Sequence, residues 1–289
     1  MAPLNAFTVD VEDYYQVSSF DRQIDRAHWD RYDSRGVAST RCVLDLLDRH
    51  DTKATFFVLG WIGHRWPGLV REIRGRGHEI GSHGYWHRRI YQQSPEEFRG
   101  DVRQAREVLQ DAIGEPVRAY RAPSFSLTRK SLWALPILVE EGFSLDSSVF
   151  PIRHHRCGLP GATPAPHQIA TEAGPLWEFP LPVTTIARMN VPVGGGICFR
   201  LYPLALTLRL LTRINQQHER PFVFHVHPWE LDPEQPRLRA GSWASRAGHY
   251  LNLKSTRGRL EILLKTFRFG RLADCLRETP SIAVRESAG

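Results

Sequence analysis

Two histidines, His83 and His87, lie in the stretch Gly81-Ser82-His83-Gly84-Tyr85-Trp86-His87. An acidic cluster, Asp10-Val11-Glu12-Asp13, closes a short apolar run near the start of the chain. Two imidazoles and a carboxylate bind a divalent metal and leave positions open for water and substrate. A spare carboxylate in the same cluster could act as general base. The chain has 13 histidines, so an H-x-x-x-H pair alone could be two surface residues. The acidic strand end tips the balance. Carboxylates this close repel one another, and on an apolar strand they are costly unless a cation or hydrogen bonds offset them. The first reading is a metal-dependent hydrolase.

Such groups need elements to hold them. Ala6-Phe7-Thr8-Val9 reads as a buried strand, Val37 to Leu47 as a helix, and Ala54 to Leu59 as a β-branched, aromatic strand closed by Gly60. Pro67 to Ile73 is a short helix and Gly77 to Ser82 a third strand. Ser94 caps a helix that starts at Pro95 and runs to Ile113, broken by Gly114-Glu115-Pro116. A strand at Val117 to Arg121, a helix at Leu132 to Glu141 and a strand at Phe143 to Asp146 follow. From Arg153 to Thr171 the pattern dissolves into Pro, Gly, His and Ala, a surface loop. Order returns at Leu176 to Pro180. Gly194-Gly195-Gly196 lacks the Lys-Ser/Thr of a phosphate loop and reads as a flexible rim. A helix at Leu204 to Gln216, a strand at Phe222 to His227 and a helix at Leu260 to Lys265 complete the chain.

About seven β–α units predict an α/β fold, a distorted (β/α) barrel of parallel strands with a C-terminal extension. Parallel barrels put their chemistry at the C-terminal strand ends. Asp10, His83, Arg121, Asp146 and His227 all fall at such ends, so one rim would gather them. Residues 1–230 form the expected catalytic domain and 231–289 an extension packed on the same domain.

Composition bounds the rest. With 289 residues and 42% hydrophobic, the chain can bury a sizeable core. The net charge of +7 is spread rather than blocked and forms no nucleic-acid motif. It is either a solvated basic surface or an attraction to an anionic polymer or membrane face. Cys42, Cys157, Cys198 and Cys275 include no C-x-x-C pair, which fits a reducing compartment. No signal peptide or transmembrane segment is legible. The expected location is cytoplasmic, or peripheral at the inner leaflet.

The motifs together resemble the NodB-homology polysaccharide deacetylases, carbohydrate esterase family 4, over residues 6 to 230. Phe7-Thr8-Val9-Asp10 is similar to the motif whose Asp is general base. Ser82 to His87 is similar to the motif that supplies two metal histidines. Tyr120-Arg121-Ala122-Pro123-Ser124-Phe125 carries an Arg that pairs with the base. Asp146-Ser147-Ser148-Val149-Phe150-Pro151 resembles part of the groove wall. His225-Val226-His227-Pro228 resembles the motif whose His is general acid. Asp10-Val11-Glu12-Asp13-Tyr14-Tyr15, His227-Pro228-Trp229-Glu230 and His249-Tyr250-Leu251-Asn252 resemble the exosortase-associated exopolysaccharide branch.

The resemblance implies an N-deacetylase of N-acetylated sugars, associated with exopolysaccharide machinery and using a divalent metal. Zinc suits the ligand type first, with cobalt, nickel or iron as alternatives. One departure matters: Val11 stands where the family has its metal aspartate. The ligand is then Glu12 or Asp13, and strand alternation, which puts Asp10 and Glu12 on one face, favours Glu12. His227 is preferred to His225 as acid because it is nearer the strand end. A backbone N–H near Phe125 would hold the oxyanion. Tyr14, Trp86, Pro123, Phe125, Asp146 and Trp229 are the expected substrate-binding residues. Two rivals stay open: an allantoinase-like amidase of a small metabolite, and a glycan-binding protein without turnover.

Overall fold

Alternation in the first strand sorts the whole site. In β1, Asn5–Val11, residues Phe7, Val9 and Val11 join the core under the helices, while Ala6, Thr8 and Asp10 face the barrel interior. This computed structural model describes residues 2–154, 157–186, 189–217 and 220–278. After β1 come α1 (Gly36–Arg49), β2 (Thr55–Val58), α2 (Gly60–Arg65), α3 (Pro67–Gly75) and β3 (Glu79–Ser82). Then follow α4 (Pro95–Ile113), β4 (Ala119–Tyr120), α5 (Ala134–Glu140), β5 (Leu145–Asp146), β6 (His167–Thr171) and β7 (Gly174–Glu178). The second half adds β8 (Val183–Ile186), β9 (Met189–Pro192), α6 (Gly196–Leu201), α7 (Leu204–Gln217) and β10 (Val223–Val226). It ends with α8 (Trp243–Tyr250), α9 (Leu253–Thr266), β11 (Phe269–Gly270) and α10 (Leu272–Glu278).

The sheet runs β10-β1-β2-β3-β4-β5-β7-β6, and the seven strands from β10 to β7 pair in parallel. Only β6 is antiparallel. The gap between β7 and β10 is bridged irregularly. Leu181 N donates to Val149 O, Val193 N to Pro182 O and His225 N to Gly194 O. The result is the expected distorted barrel.

Local chemistry explains the elements. Ser94 and Glu97 form a reciprocal capping box on α4, and Gly114 closes it in the left-handed conformation. Val43, Leu44 and Leu47 of α1 bury against Phe56 and Val58 of β2. Each such side chain contributes roughly 1.5–3 kcal/mol.

Three expectations need correction. Gly60 does not end an element: it opens α2, because its missing Cβ lets the helix lie against Tyr85 and Ala105. Part of the expected 153–171 loop is a strand, since β6 has β7 to pair with; residues 155 and 156 lie outside the described set. Gly194-Gly195-Gly196 is buried rather than a free rim. A Cβ on Gly195 would sit 1.9 Å from His225 O, so glycine is what lets this segment reach β10. The extension packs on the same domain. Phe269 pairs with Asn5 of β1, and α8 lines the same cavity as the motif residues. Residues 279–289 lie outside the described set. Among the described residues, no helix is long and apolar enough to cross a membrane.

Candidate active site

Arg121 organises the site. It is fully buried just past β4, so its charge must be compensated on the spot. Nη1 donates to Asp10 Oδ1 and to Thr8 Oγ1, each at 2.7 Å. Nε donates to Ser147 O at 3.0 Å and Nη2 to Ser147 Oγ at 2.8 Å. The guanidinium lies 4.2 Å from the centroid of the Phe57 ring. Burial alone would push Asp10 up, but Arg121, His83 and His227 hold it well below the usual carboxylate range.

Glu12 leaves β1 on the same side as Asp10. Its Oε2 lies 2.8 Å from His87 Nε2, and its Oε1 accepts a hydrogen bond from Trp229 Nε1 at 3.1 Å. Glu12, His83 and His87 are all buried, and one donor atom from each lies within 4.8 Å of the others. The Arg121 carbonyl faces His83 Nδ1 at 2.8 Å. That contact sets the tautomer and leaves Nε2 as the lone-pair donor. Burial lowers His83 to about 4, so it is a neutral imidazole. Burial opposes ionisation of Glu12, yet His87, His227 and His83 bring it down to about 2. A buried carboxylate with two imidazoles fits a divalent metal.

Asp13 points elsewhere. Its Oδ2 accepts from Ser34 Oγ at 2.6 Å, Arg35 N at 3.0 Å and Gly36 N at 2.9 Å, and its Oδ1 from Tyr14 N at 3.0 Å. It satisfies the N-terminal amides of α1 and does not join the cluster.

His227 faces the cluster from the other side. Its Nε2 lies 3.6 Å from Glu12 Oε1 and 3.9 Å from Asp10 Oδ2. Its Nδ1 lies 3.4 Å from Glu230 Oε1. Burial works against its charge, but Glu230, Glu12 and Asp10 prevail and raise it to about 9. His225 differs: burial lowers it to about 4, and its ring packs edge-on against Phe125. Glu230 lies 3.3 Å from Arg200 Nε, and Arg200 Nη1 donates to the carbonyls of Gly248, His249 and Leu251 at the end of α8.

These groups line one cavity of about 420 Å³. It contains Asp10, Glu12, His83, His87, His225 and His227. Of the expected substrate-binding residues, Phe125 and Trp229 reach it. Tyr14 is buried in a second cluster with Tyr15, Phe20 and Trp29, which pins residues 14–29 to the extension. Trp86 packs on Trp29 and Tyr85. Pro123 and Asp146 are buried behind the wall. Trp229 stacks on His227 and His249 and uses its N–H on Glu12, so it presents no free face to a sugar. The Phe125 N–H, expected at an oxyanion, donates to Ala122 O instead.

Sequence reasoning missed Glu230, Arg200 and the α8 wall of Ala244, Ser245 and Gly248. Glu230 carried a signal, three residues after His227. Arg200 carried none: its partners are distant in sequence.

Two parts of the chain match known families. Residues 25–136 match the family described as polysaccharide deacetylase, and residues 147–277 match a domain of unknown function, DUF3473. A peptidoglycan-N-acetylglucosamine deacetylase of Bacillus cereus is 32% identical over 103 residues, 35% of this chain and 38% of the relative. One from Listeria monocytogenes is 36% identical over 91 residues, 32% of this chain and 20% of the relative. The matches thus span well under half of either relative. A crystal structure from Mycobacterium smegmatis, assigned to the polysaccharide deacetylases, superposes with a TM-score of 0.62 at 19% identity. It covers 99% of this chain and 95% of that one, and so shares the fold. Residues 25–136 are thus similar to the polysaccharide deacetylase family and residues 147–277 to DUF3473, on a fold shared with a polysaccharide deacetylase structure.

Proposed function

We propose that this chain is a metal-dependent N-deacetylase acting on N-acetylated sugars of an exopolysaccharide or its precursor. The observation that carries the reading is the order of groups in one cavity: Arg121-held Asp10, then Glu12 with His83 and His87, then Glu230-held His227. In the reaction, water cleaves the acetamide C–N bond to give acetate and a free amine. Bound by Glu12, His83 and His87, a divalent metal would lower the pKa of the hydrolytic water and polarise the acetyl carbonyl. Asp10 accepts the proton of that water. Arg121 keeps Asp10 ionised and fixes its orientation. His227 delivers a proton to the departing nitrogen, and Glu230 holds the ring through Nδ1. Trp229 and the Arg121 carbonyl orient Glu12 and His83 from behind.

The test is Asp10→Asn, with acetate release from N-acetylated oligosaccharides and metal content both measured. The expected variant binds metal as the parent does and loses about 10³-fold or more in turnover. A folded variant that arrives without metal would make Asp10 a ligand and reverse the roles. The small-metabolite reading draws on one observation, the α8 residues Ala244, Ser245 and Gly248 that wall one side of the cavity. It gains if small amides are hydrolysed and no oligosaccharide releases acetate.

A further inference from the structure

Helix α8 has two working sides. Ala244, Ser245 and Gly248 line the catalytic cavity. Trp243, Arg246, Ala247 and Tyr250 line a second depression of about 380 Å³, completed by Arg237 and Leu238. Nothing in the deacetylation chemistry uses this depression.

Its lining is specific in kind. Trp243 is 78% exposed, the most exposed large hydrophobic side chain among the described residues. An open indole face suits the apolar face of a sugar ring, in the way aromatic side chains pair a flat apolar body with a polar handle. The Arg237 guanidinium lies 4.4 Å over the Tyr250 ring. That ring is itself fixed, since Tyr250 Oη accepts from Leu238 N at 2.8 Å and donates to Pro236 O at 3.2 Å. The depression contains two guanidiniums and no carboxylate. Among the described residues, neither Arg237 nor Arg246 forms an ion pair, although arginines elsewhere on this surface do, such as Arg76 with Asp45 and Arg74 with Glu115. A guanidinium presents a planar fork of donors that matches carboxylate and phosphate oxygens.

We propose that this depression is a subsite for an anionic sugar residue, a uronate or a phosphate-bearing hexose, in the same chain as the N-acetylated unit. Trp243 carries the ring, and Arg237 and Arg246 take the anionic oxygens. The subsite and the cavity are separated by one helix, about 10 Å across, a span that a short oligosaccharide covers. The inference deepens the deacetylase reading and rests on it for the unit in the cavity: the substrate class becomes an acidic N-acetylated glycan. The net charge of +7 would aid capture of such a polymer.

The experiment uses the full chain, the Arg237→Ala/Arg246→Ala double variant and Trp243→Ala. The probes are an N-acetylglucosamine oligomer, an oligomer of equal length alternating N-acetylglucosamine with glucuronate, and a phosphorylated N-acetylglucosamine oligomer. Binding is read by calorimetry and turnover by acetate release. The parent should bind one anionic probe about tenfold or more tighter than the neutral one, and the double variant should erase that preference. Whichever anionic probe binds identifies the group. Trp243→Ala should weaken all probes, and the double variant should turn over the neutral oligomer as the parent does. Equal binding of neutral and anionic probes by the parent overturns the proposal, as does a preference that survives in the double variant. Anionic phospholipid vesicles serve as a further probe. Loss of vesicle binding in the variants, with no change in glycan preference, would make the patch a membrane contact and overturn the subsite. Anionic preference without acetate release from any oligomer would keep the subsite and remove the deacetylase reading.

Discussion

Glu12 and Asp13 are adjacent carboxylates with opposite expected phenotypes. Consider Asp13→Ala. The side chain accepts four hydrogen bonds, from Tyr14 N, Ser34 Oγ, Arg35 N and Gly36 N. Two of these donors are orphan amides at the start of α1, and loss of such a cap costs about 0.5–2 kcal/mol. The buried N–H of Tyr14 adds about 1–3 kcal/mol when left unpaired. The total is about 2–5 kcal/mol. At roughly 2–4 °C per kcal/mol for a domain of this class, Tm should fall by roughly 10 °C. The folded fraction should still hold about one metal per chain, because Asp13 donates nothing to the cluster. Glu12→Ala should do the reverse. It removes one of the three clustered ligands, so affinity should drop by more than the roughly 10–100-fold that loss of an outer partner costs. Its Tm without metal should change far less than that of Asp13→Ala. Metal content by plasma mass spectrometry and thermal melts with chelator present read both effects. An Asp13→Ala protein that melts like the parent and has lost its metal would refute the reasoning, and so would a Glu12→Ala protein with parental metal content.

Glu230→Gln keeps the shape beside His227 and removes the charge between it and Arg200; kcat should fall about 10–100-fold with KM and metal content nearly unchanged. Asp146 and Glu178 are fully buried side by side, and burial raises both above the 3.8 and 4.5 of ordinary carboxyls. The folded state therefore holds protons that the unfolded chain releases, and this contribution to stability is full below the ordinary range and lost as pH rises through the raised values. Melts of Glu178→Gln should show a flatter decline toward neutral and alkaline pH than the parent, and equal slopes would reject the coupling. Gly195→Ala forces a Cβ to 1.9 Å from His225 O at φ +127°, which should cost about 3 kcal/mol or more. Gly100→Ala in α4 meets nothing within 4 Å and should stabilise by about 0.5–1 kcal/mol, a control for the same substitution.

Much of the fold was legible because its signals are local. The Phe7 to Val9 run, the Ser94–Glu97 box and the apolar spacing of α1 each lie within one stretch of chain. The parity of β1 even separated Glu12 from Asp13, because Thr8, Asp10 and Glu12 stay on the interior side past the strand end. What was not legible depends on long-range contact. Gly60 and Gly194 to Gly196 look like breakers, yet they mark close approaches to Tyr85 and to β10. Tyr14, Trp86 and Trp229 look like sugar platforms, yet they are packed among other rings. Arg200 has no local signature because its partners, Glu230 and the end of α8, lie far along the chain. Aromatic type alone does not tell a stacking face from a core face.

Acetate release from an N-acetylated oligosaccharide, followed through chelation and metal return on one sample of the full chain, bears most directly on the active site. The expected result is about one divalent ion per chain, release that stops when the ion is removed, and recovery on adding zinc or cobalt. Release that continues at the same rate in the metal-free protein would contradict the Glu12–His83–His87 assignment at its root.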